Sequence, residues 1–126
     1  ERLQRGVQAL RPEDDVFTNH IHADDLAMLV CAALRRGRRN RCYNASDESG
    51  LKMGEYFDLV ADSFGLPRAP RIARSEAQQI LSPVQLSFMS ESRRLDNRRI
   101  REELGAQLRF PRVSDGIAAA QSDRQP

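Results

Sequence analysis

Apolar residues recur at helical spacing from Leu26 onward, which predicts the first long helix of the chain. One stripe of that helix consists of Leu26, Leu29, Val30, Ala33 and Leu34. Just before it, the side chains of residues 17–22 alternate between two faces, as in a short strand. Asp24 or Asp25 then stands where a carboxylate accepts hydrogen bonds from the first helical N–H groups. A strand, a cap and an amphipathic helix are therefore expected in succession.

A second helix is predicted downstream, where apolar residues recur at steps of four, three and four. These residues are Met53, Phe57, Val60 and Phe64. Gly65 is expected to end this helix, and Pro67 prevents it from resuming because proline lacks the N–H that a helix requires. Between the two helices, residues 42–45 are predicted to form a strand.

Shorter elements complete the predicted order. Residues 1–10 carry apolar side chains at helical spacing, and Arg11-Pro12 would end such a helix. Residues 71–73 are expected to form a short edge strand. Further helices are expected to begin near Ser75, at Pro83 after a Ser82 cap, at Asn97 with Ile100 and Leu104 inward and Gly105 at its end, and at a Ser114 cap. Residues 121–126 are expected to fray.

Length and composition indicate one soluble globular domain with a modest core. The chain has 126 residues, 40% of them hydrophobic and 30% charged, and a net charge of +2 that is weak evidence for a polyanionic partner. No apolar run approaches the roughly 18 residues of a membrane span. Cys31 and Cys42, without a visible leader peptide, are expected to be reduced thiols in the cytoplasm.

Residues 35–41 contain five arginines in seven positions. A nucleic-acid interface would pair such arginines with phosphates. The run also lies where a helix is predicted to end, where cations are favoured by the helix dipole and Gly37 suits the position after the last turn. We favour the solvated helix end, and nucleic acid is not the expected partner.

His20, His22 and Asp24 fall on one face of the predicted strand, because they are spaced by two residues. Two imidazoles and a carboxylate at this spacing can hold a divalent metal, but such sites require further histidines downstream. The chain has only two histidines. We therefore expect no metal, with His22 as a structural residue and the aspartates as helix caps.

Five short motifs occur in an order that resembles one family. They are I-H-A-D-D-L-A at residues 21–27, C-Y-N-A-S-D at 42–47, the E-Y helix ending in G-x-P at 55–67, L-S-P-x-x-x-S-F at 81–88 and S-R-R-L-D-N at 92–97. Together they resemble the extended short-chain dehydrogenase/reductases, the NAD-dependent epimerase/dehydratase family, and most closely its atypical members. The resemblance extends from about Phe17 to Ala118.

The resemblance implies that this chain is part of a larger protein. Family members bind NAD or NADP on an N-terminal Rossmann half through G-x-x-G-x-x-G, and most use a Tyr-x-x-x-Lys pair. Neither motif is present, since the glycines lie apart and Lys52 is the only lysine. The chain also begins at Glu1 without a methionine. We expect residues 1–126 to be the C-terminal, substrate-binding part: an α/β fragment, mostly helical with short strands.

In that case the chain holds no catalytic or cofactor-binding residue of its own and is inactive alone. The resemblance also implies that Thr18, Asn19, His20, Arg93 and Arg94 contact a small-molecule substrate. Family members often carry an arginine at the position of Thr18, where it meets the phosphates of a nucleotide sugar. A neutral Thr cannot make that bidentate contact, so a nucleotide-sugar substrate is not expected here.

Separation from the Rossmann half would leave an unpaired strand edge and the apolar stripe from Leu26 in water. Such surfaces associate, so a homo-oligomer is expected. The alternative from another class is a small standalone interaction module that uses Arg35–Arg41 to bind nucleic acid or an acidic protein.

Overall fold

The structure, a computed structural model, describes Leu3 and residues 6–122. The chain divides into two compact units. The first unit comprises the described residues up to Thr18 together with Leu51–Arg93, and the second comprises Asn19–Gly50 and the residues from Arg94 onward. In chain order the elements are β1 (Ala9–Leu10), α1 (Ala23–Arg36), α2 (Met53–Phe64), β2 (Arg71–Ile72), α3 (Arg74–Ile80), α4 (Pro83–Ser90), α5 (Arg98–Glu102) and α6 (Val113–Ser122).

The first unit is built on the two short strands, which pair in parallel with Leu10 opposite Ile72. Successive strand side chains point to opposite faces, and the core of this unit divides accordingly. Ala9 packs with Phe57 of α2, whereas Leu10 packs with Ala77 of α3 and with Met89 of α4. The two-stranded sheet is thus covered by α2 on one face and by α3 and α4 on the other.

A close approach of charged groups fixes the start of α2. The buried carboxylate of Asp15 accepts a hydrogen bond from the Gly54 N–H (2.9 Å) and lies 3.7 Å from the Arg71 guanidinium. Arg71 donates to Asp58 (2.6 Å) and to the Leu10 carbonyl (3.1 Å). A Cβ at position 54 would overlap the Arg71 guanidinium, so only glycine leaves room for this contact.

The second unit has a core between α1 and the region around α5. Leu29 and Ala32 of α1 pack against Ile100, Leu104 and Ala106, all of which are buried. The predicted helix from Asn97 is confirmed as α5, with Ile100 and Leu104 inward, and Gly105 follows in the left-handed conformation (φ 56°).

Several other predicted elements are confirmed. α2 ends at Gly65, which is left-handed (φ 61°). β2 forms within the predicted edge strand at 71–73, α3 begins at Arg74, and α4 begins at Pro83. The hydroxyl of Ser82 accepts the N–H of Gln85 at that helix start (3.3 Å).

The two strands predicted at residues 17–22 and 42–45 are wrong. Phe17 forms one isolated antiparallel bridge with Lys52, and neither 18–22 nor 42–45 is a strand. An alternating pattern needs a neighbouring strand to become a ladder. Here the backbone of this segment bonds to loops instead: the Thr18 N–H to the Leu51 carbonyl (2.9 Å), and the His20 carbonyl to the Asp47 N–H (2.6 Å).

Predictions at the chain ends were also partly wrong. Ala9 and Leu10 form β1 rather than the end of a helix, because both are buried in the sheet of the first unit. α6 begins at Val113, so Ser114 lies inside the helix, and the Asp115 carboxylate accepts the Arg112 N–H instead (2.9 Å). Residues 1, 2, 4, 5 and 123–126, which include most of the predicted frayed tail, lie outside the described residues.

Among the described residues, no helix combines the length and apolar character needed to cross a membrane. Cys31 and Cys42 are both exposed and are not bonded to each other.

Within the second unit, Glu103 connects the loop that follows α1 to the end of α5. Arg41 donates to both of its carboxylate oxygens through Nε (3.0 and 3.2 Å), and Tyr43 donates to Oε2 (3.3 Å). The hydrogen bonds from Arg41 hold the pKa of the Glu103 carboxyl below its ordinary value. Partial burial opposes that shift, whereas the charge of Arg41, the bond from Tyr43 and the charge of Arg38 add to it.

We predict that Glu103→Gln lowers the melting temperature at neutral pH and that the difference shrinks in acid. A folded-state pKa below the ordinary 4.5 means that the carboxylate stabilises the fold above that pH. The stabilisation is lost as the pH falls through the folded-state pKa. Thermal unfolding followed by circular dichroism across the acid range measures both.

The matched control is Glu102→Gln, one residue earlier. Its carboxylate is 65% exposed and lies 3.9 Å from Arg98, an arrangement that contributes little to stability. If Glu103→Gln lowers the melting temperature equally at neutral and acid pH, the result would contradict an ionic origin of the stabilisation by Glu103.

Candidate functional site

Thr18 and Arg93, two of the residues predicted to contact substrate, lie in the first unit. The Thr18 hydroxyl donates to the Leu51 carbonyl (3.3 Å), so its side chain binds the backbone. The guanidinium of Arg93 lies 2.8 Å from the carboxylate of Glu91, and both side chains are about two-thirds exposed. The backbone N–H of Arg93 donates to the Phe17 carbonyl (3.5 Å). Thr18 and Arg93 therefore belong to neighbouring backbone segments of this unit.

Asn19, His20 and Arg94, the other three, lie in the second unit. The Asn19 side chain accepts the N–H of Leu95 (2.9 Å). His20 accepts the N–H of Asp47 on its carbonyl (2.6 Å). The Arg94 guanidinium lies close to Gly50, where a Cβ would be 3.3 Å from it. The structure thus brings Asn19 and His20 together with the segments that contain Asp47 and Arg94.

A further residue, Asn97, completes this cluster and was not among the predicted site residues. Its side-chain amide donates to the carbonyls of Ser46 (2.8 Å) and Asp47 (3.4 Å). Asn44 donates in the same way to the Asp96 carbonyl (2.9 Å). The C-Y-N-A-S-D and S-R-R-L-D-N motifs are therefore hydrogen-bonded to each other. This pairing was not visible from either motif alone.

His20 is the titratable group of this cluster whose ionisation the fold shifts. Burial lowers the pKa of the His20 imidazole below its ordinary 6.5, and the negative charge of Asp47 opposes that shift in part. A half-buried imidazole beside a carboxylate is held in its neutral form at neutral pH and retains one N–H donor and one acceptor.

His22 has a structural role, as expected. Its Nδ1 accepts the N–H of Asp24 (3.2 Å) and so forms the N-cap of α1, and its ring packs on Phe110 with centroids 4.0 Å apart. The prediction that Asp24 or Asp25 supplies the cap is wrong, because both lie inside the helix. Gly116 makes room for the imidazole, since a Cβ there would lie 3.0 Å from the ring.

No group of three or more His, Cys, Asp or Glu side chains in the described part of the chain is arranged to hold a metal ion. His22 and Asp24, two of the three residues considered for such a site, are only 3.9 Å apart (Nδ1 to Oδ2). The Nδ1 lone pair, however, is already directed at a backbone N–H. The local geometry is that of a helix cap.

Asp25 is a structural residue that sequence reasoning assigned incorrectly. It is only 2% exposed, and its two carboxylate oxygens accept the N–H groups of Arg109 (2.8 Å) and Phe110 (2.9 Å). The residue therefore ties α1 to a loop 84 positions further along the chain. The second aspartate of the I-H-A-D-D-L-A motif was the available signal, but its partners are too distant in sequence to be inferred.

The basic run is partly used inside the second unit. Arg36 donates to the Leu104 carbonyl (2.5 Å), Arg41 binds Glu103, and Arg38 lies 4.0 Å from the same carboxylate. Gly37 follows α1 as expected, in an extended conformation with φ −64°. It is required because a Cβ there would overlap the Ala33 carbonyl. Three of the five arginines thus fix this helix end, which weakens the case for the run as a binding patch.

No family model and no curated protein matches the chain. Solved structures do, and the class of protein that shares the fold is the epimerase family. A human epimerase family protein solved with NADPH matches with a TM-score of 0.76 over 97% of this chain and 41% of its own, at 17% identity. A nucleoside-diphosphate-sugar epimerase from Pseudomonas aeruginosa matches with 0.76 over 94% and 37%, at 23% identity.

A functionally unknown conserved protein from Silicibacter pomeroyi has a higher TM-score of 0.85. It is 30% identical and is matched over 97% of this chain and 43% of its own. The chain thus spans less than half the length of each of these three structures. The matches show that its mixed α/β fold is the fold of part of an epimerase-family structure.

We predict that Asp25→Ala lowers the free energy of unfolding by about 3 kcal/mol or more. The change removes two hydrogen bonds to a charged acceptor and leaves the buried N–H of Phe110 without a partner, and each effect costs about 1–3 kcal/mol. Urea unfolding followed by circular dichroism measures the loss.

Asp24→Ala is the matched control, because Asp24 precedes Asp25 on the same helix and its side chain is 67% exposed. It should cost less than about 1 kcal/mol, the scale of a helix-dipole interaction. Asp25→Asn keeps one acceptor oxygen and should fall between the two. Equal losses for Asp24→Ala and Asp25→Ala would show that the buried hydrogen bonds are not what stabilises this unit.

Proposed function

We propose that the chain is the C-terminal, substrate-binding part of an NAD(P)-dependent oxidoreductase, epimerase or dehydratase of the extended short-chain type. The observation that carries the proposal is the shared fold. At least 94% of the chain superposes on epimerase-family structures of more than twice its length, and one of them was solved with NADPH. The five family motifs support the same conclusion, since all occur in the family's order.

The N-termini of the two longest helices, α1 and α2, do not fit a dinucleotide. A dinucleotide pyrophosphate binds at a helix N-terminus that a glycine-rich turn leaves open. The N-terminus of α1 is occupied by the His22 imidazole packed on Phe110. That of α2 is occupied by the Asp15 carboxylate, which would repel a phosphate. The cofactor therefore belongs to the remainder of the protein we propose, and this chain contributes substrate contacts.

The exposed face of α1 supports the existence of a further partner. Asp25, Leu29 and Ala32 face the core of the second unit, whereas the opposite face of the helix is apolar and exposed. That face consists of Ala23, Leu26, Ala27, Val30 and Leu34. Of the stripe predicted from the sequence, Leu26, Val30 and Leu34 are 42, 53 and 83% exposed, whereas Leu29 is buried and Ala33 packs against the core of the second unit. An apolar helix face of this kind is typical of an interface.

We propose that this exposed face of α1 packs on the Rossmann half in the complete protein. In the chain by itself, the same face associates with a second copy. A two-fold dimer satisfies such a self-complementary surface most simply. The association of the isolated chain and its lack of cofactor binding are both consequences of the same proposal.

We predict that the 126-residue chain does not bind NADPH at millimolar concentration in calorimetry. A longer gene product that includes the upstream coding sequence should bind it, because the glycine-rich turn lies there. Reading that sequence for G-x-x-G-x-x-G and Tyr-x-x-x-Lys is the companion observation. Tight, saturable binding by the 126-residue chain, or an upstream sequence without either motif, would refute the proposal.

We predict that Val30→Asp converts the chain from a dimer to a monomer in sedimentation at micromolar concentration. A carboxylate at the centre of the apolar face would be buried without a partner in the dimer, which is strongly unfavourable. Val84→Asp on α4 is the control, because it makes the same change at a valine that is 66% exposed. A wild-type chain that is monomeric throughout would contradict the association.

A further inference from the structure

A groove lies on the first unit, between α2 and α4. Its volume is about 420 Å³, within the range of roughly 300–1,000 Å³ that small-molecule sites occupy. The side chains that line it are Val7, Met53, Phe57, Gln85, Phe88 and Met89. It is thus contained in a single unit, and none of the five residues predicted to contact substrate lines it.

The groove has a buried floor and an exposed rim. Phe57 and Met89 are only 5 and 7% exposed and belong to the two core clusters on opposite faces of the β1–β2 sheet. Met53 packs against both clusters and so forms the wall between them. Phe88, by contrast, is 68% exposed. This recessed apolar floor with an aromatic rim suits a small molecule better than a flat protein surface.

The lining also defines the charge of the ligand. None of the described residues that line the groove is ionisable. A charged group placed against these side chains would lose its hydration without gaining a counter-charge from them, which is unfavourable. Among the described lining residues, the one polar side chain is that of Gln85, whose carboxamide oxygen already accepts hydrogen bonds from the Ser82 N–H (3.0 Å) and hydroxyl (2.9 Å). Gln85 therefore offers its N–H₂ group, which is a donor.

Three arginines of this unit are paired with carboxylates. Arg71 binds Asp58, Arg68 binds Asp62, and Arg93 lies against Glu91. Thr18, at the position where the resemblance would place an arginine, donates to a backbone carbonyl. These pairings do not favour a diphosphate ligand at these positions.

We propose that this groove binds an uncharged, predominantly apolar small molecule with a hydrogen-bond acceptor at its edge. The assignment deepens the proposed function, because it names the substrate class of a chain proposed to bind substrate. The apolar body of the ligand rests on Phe57 and Met89, and Phe88 covers it from the rim. Gln85 meets the acceptor.

The test is a fluorescence titration of the 126-residue chain with N-phenyl-1-naphthylamine, an uncharged aromatic amine whose emission rises in apolar surroundings. Saturable binding with a stoichiometry of one per chain is expected. Phe88→Ala should weaken it about tenfold, since a buried aromatic contact is worth on the order of one such factor. Phe88→Leu, which keeps an apolar rim, should retain most of the affinity.

Val84→Ala is the matched control. Val84 lies one turn before Phe88 on α4 and is similarly exposed at 66%, but it does not line the groove. It should leave the affinity unchanged. Equal weakening by both variants, or no saturable binding at all, would overturn the assignment. Both substitutions are at exposed positions, and a thermal melt of each variant confirms that it is folded.

A competition experiment and a variant distinguish the remaining explanations for probe binding. Uridine diphosphate glucose should not displace the probe, and displacement by it would overturn the substrate class. Binding that disappears in the monomeric Val30→Asp variant but survives Phe88→Ala would assign the probe to a dimer interface and overturn the groove. The NADPH experiment is independent of these results, so failure of the groove and failure of the proposed function are distinguishable.

Discussion

The second unit depends on one buried carboxylate. Asp25 lies on the inner face of α1, where a charge is stable only if its oxygens find donors. The N–H groups of Arg109 and Phe110 supply them, at 2.8 and 2.9 Å. That contact places the Phe110 ring against His22, and His22 in turn caps the same helix. The helix start, the distant loop and the ring packing therefore stabilise one another and would be lost together.

The first unit is also held by charged groups, which lie beside its two-stranded sheet. Arg71 extends from β2 over Gly54 and is balanced by Asp15 and Asp58. Because Asp15 also holds the first turn of α2, the arginine couples strand and helix. A sheet of two residues per strand buries little area. The contacts of Arg71 with Asp15 and Asp58 therefore fix the orientation of α2 relative to the sheet, which packing alone would not do. α4 packs against the core of this unit through Met89 and Leu86, and the groove lies between α4 and α2.

The two units use polar side chains in a similar way. Polar side chains near the predicted site hold loops together, as the Asn97 side-chain amide does in the second unit by donating to the backbone carbonyl of Asp47. Two apolar surfaces are open to solvent: the outer face of α1 in the second unit and the groove between α2 and α4 in the first. These surfaces are the basis on which we propose contacts with a partner and with an apolar ligand. The chain shares its fold with part of epimerase-family structures of more than twice its length.

The sequence by itself determined the positions of α1 to α6 and several of their ends. Spacing placed α2, Gly65 ended it, and the Ser82-Pro83 pair started α4, because these signals act within one or two turns. It could not decide whether residues 17–22 and 42–45 form strands, since a strand exists only beside a neighbouring strand. It also could not identify the hydrogen-bond partners of Asp25. The motifs that contain the site residues were visible in the sequence. The hydrogen bond from Asn97 to the Asp47 carbonyl was not, because it joins residues fifty positions apart. Only the tertiary structure decided such contacts, because local spacing carries no information about which distant backbone groups a buried side chain will meet.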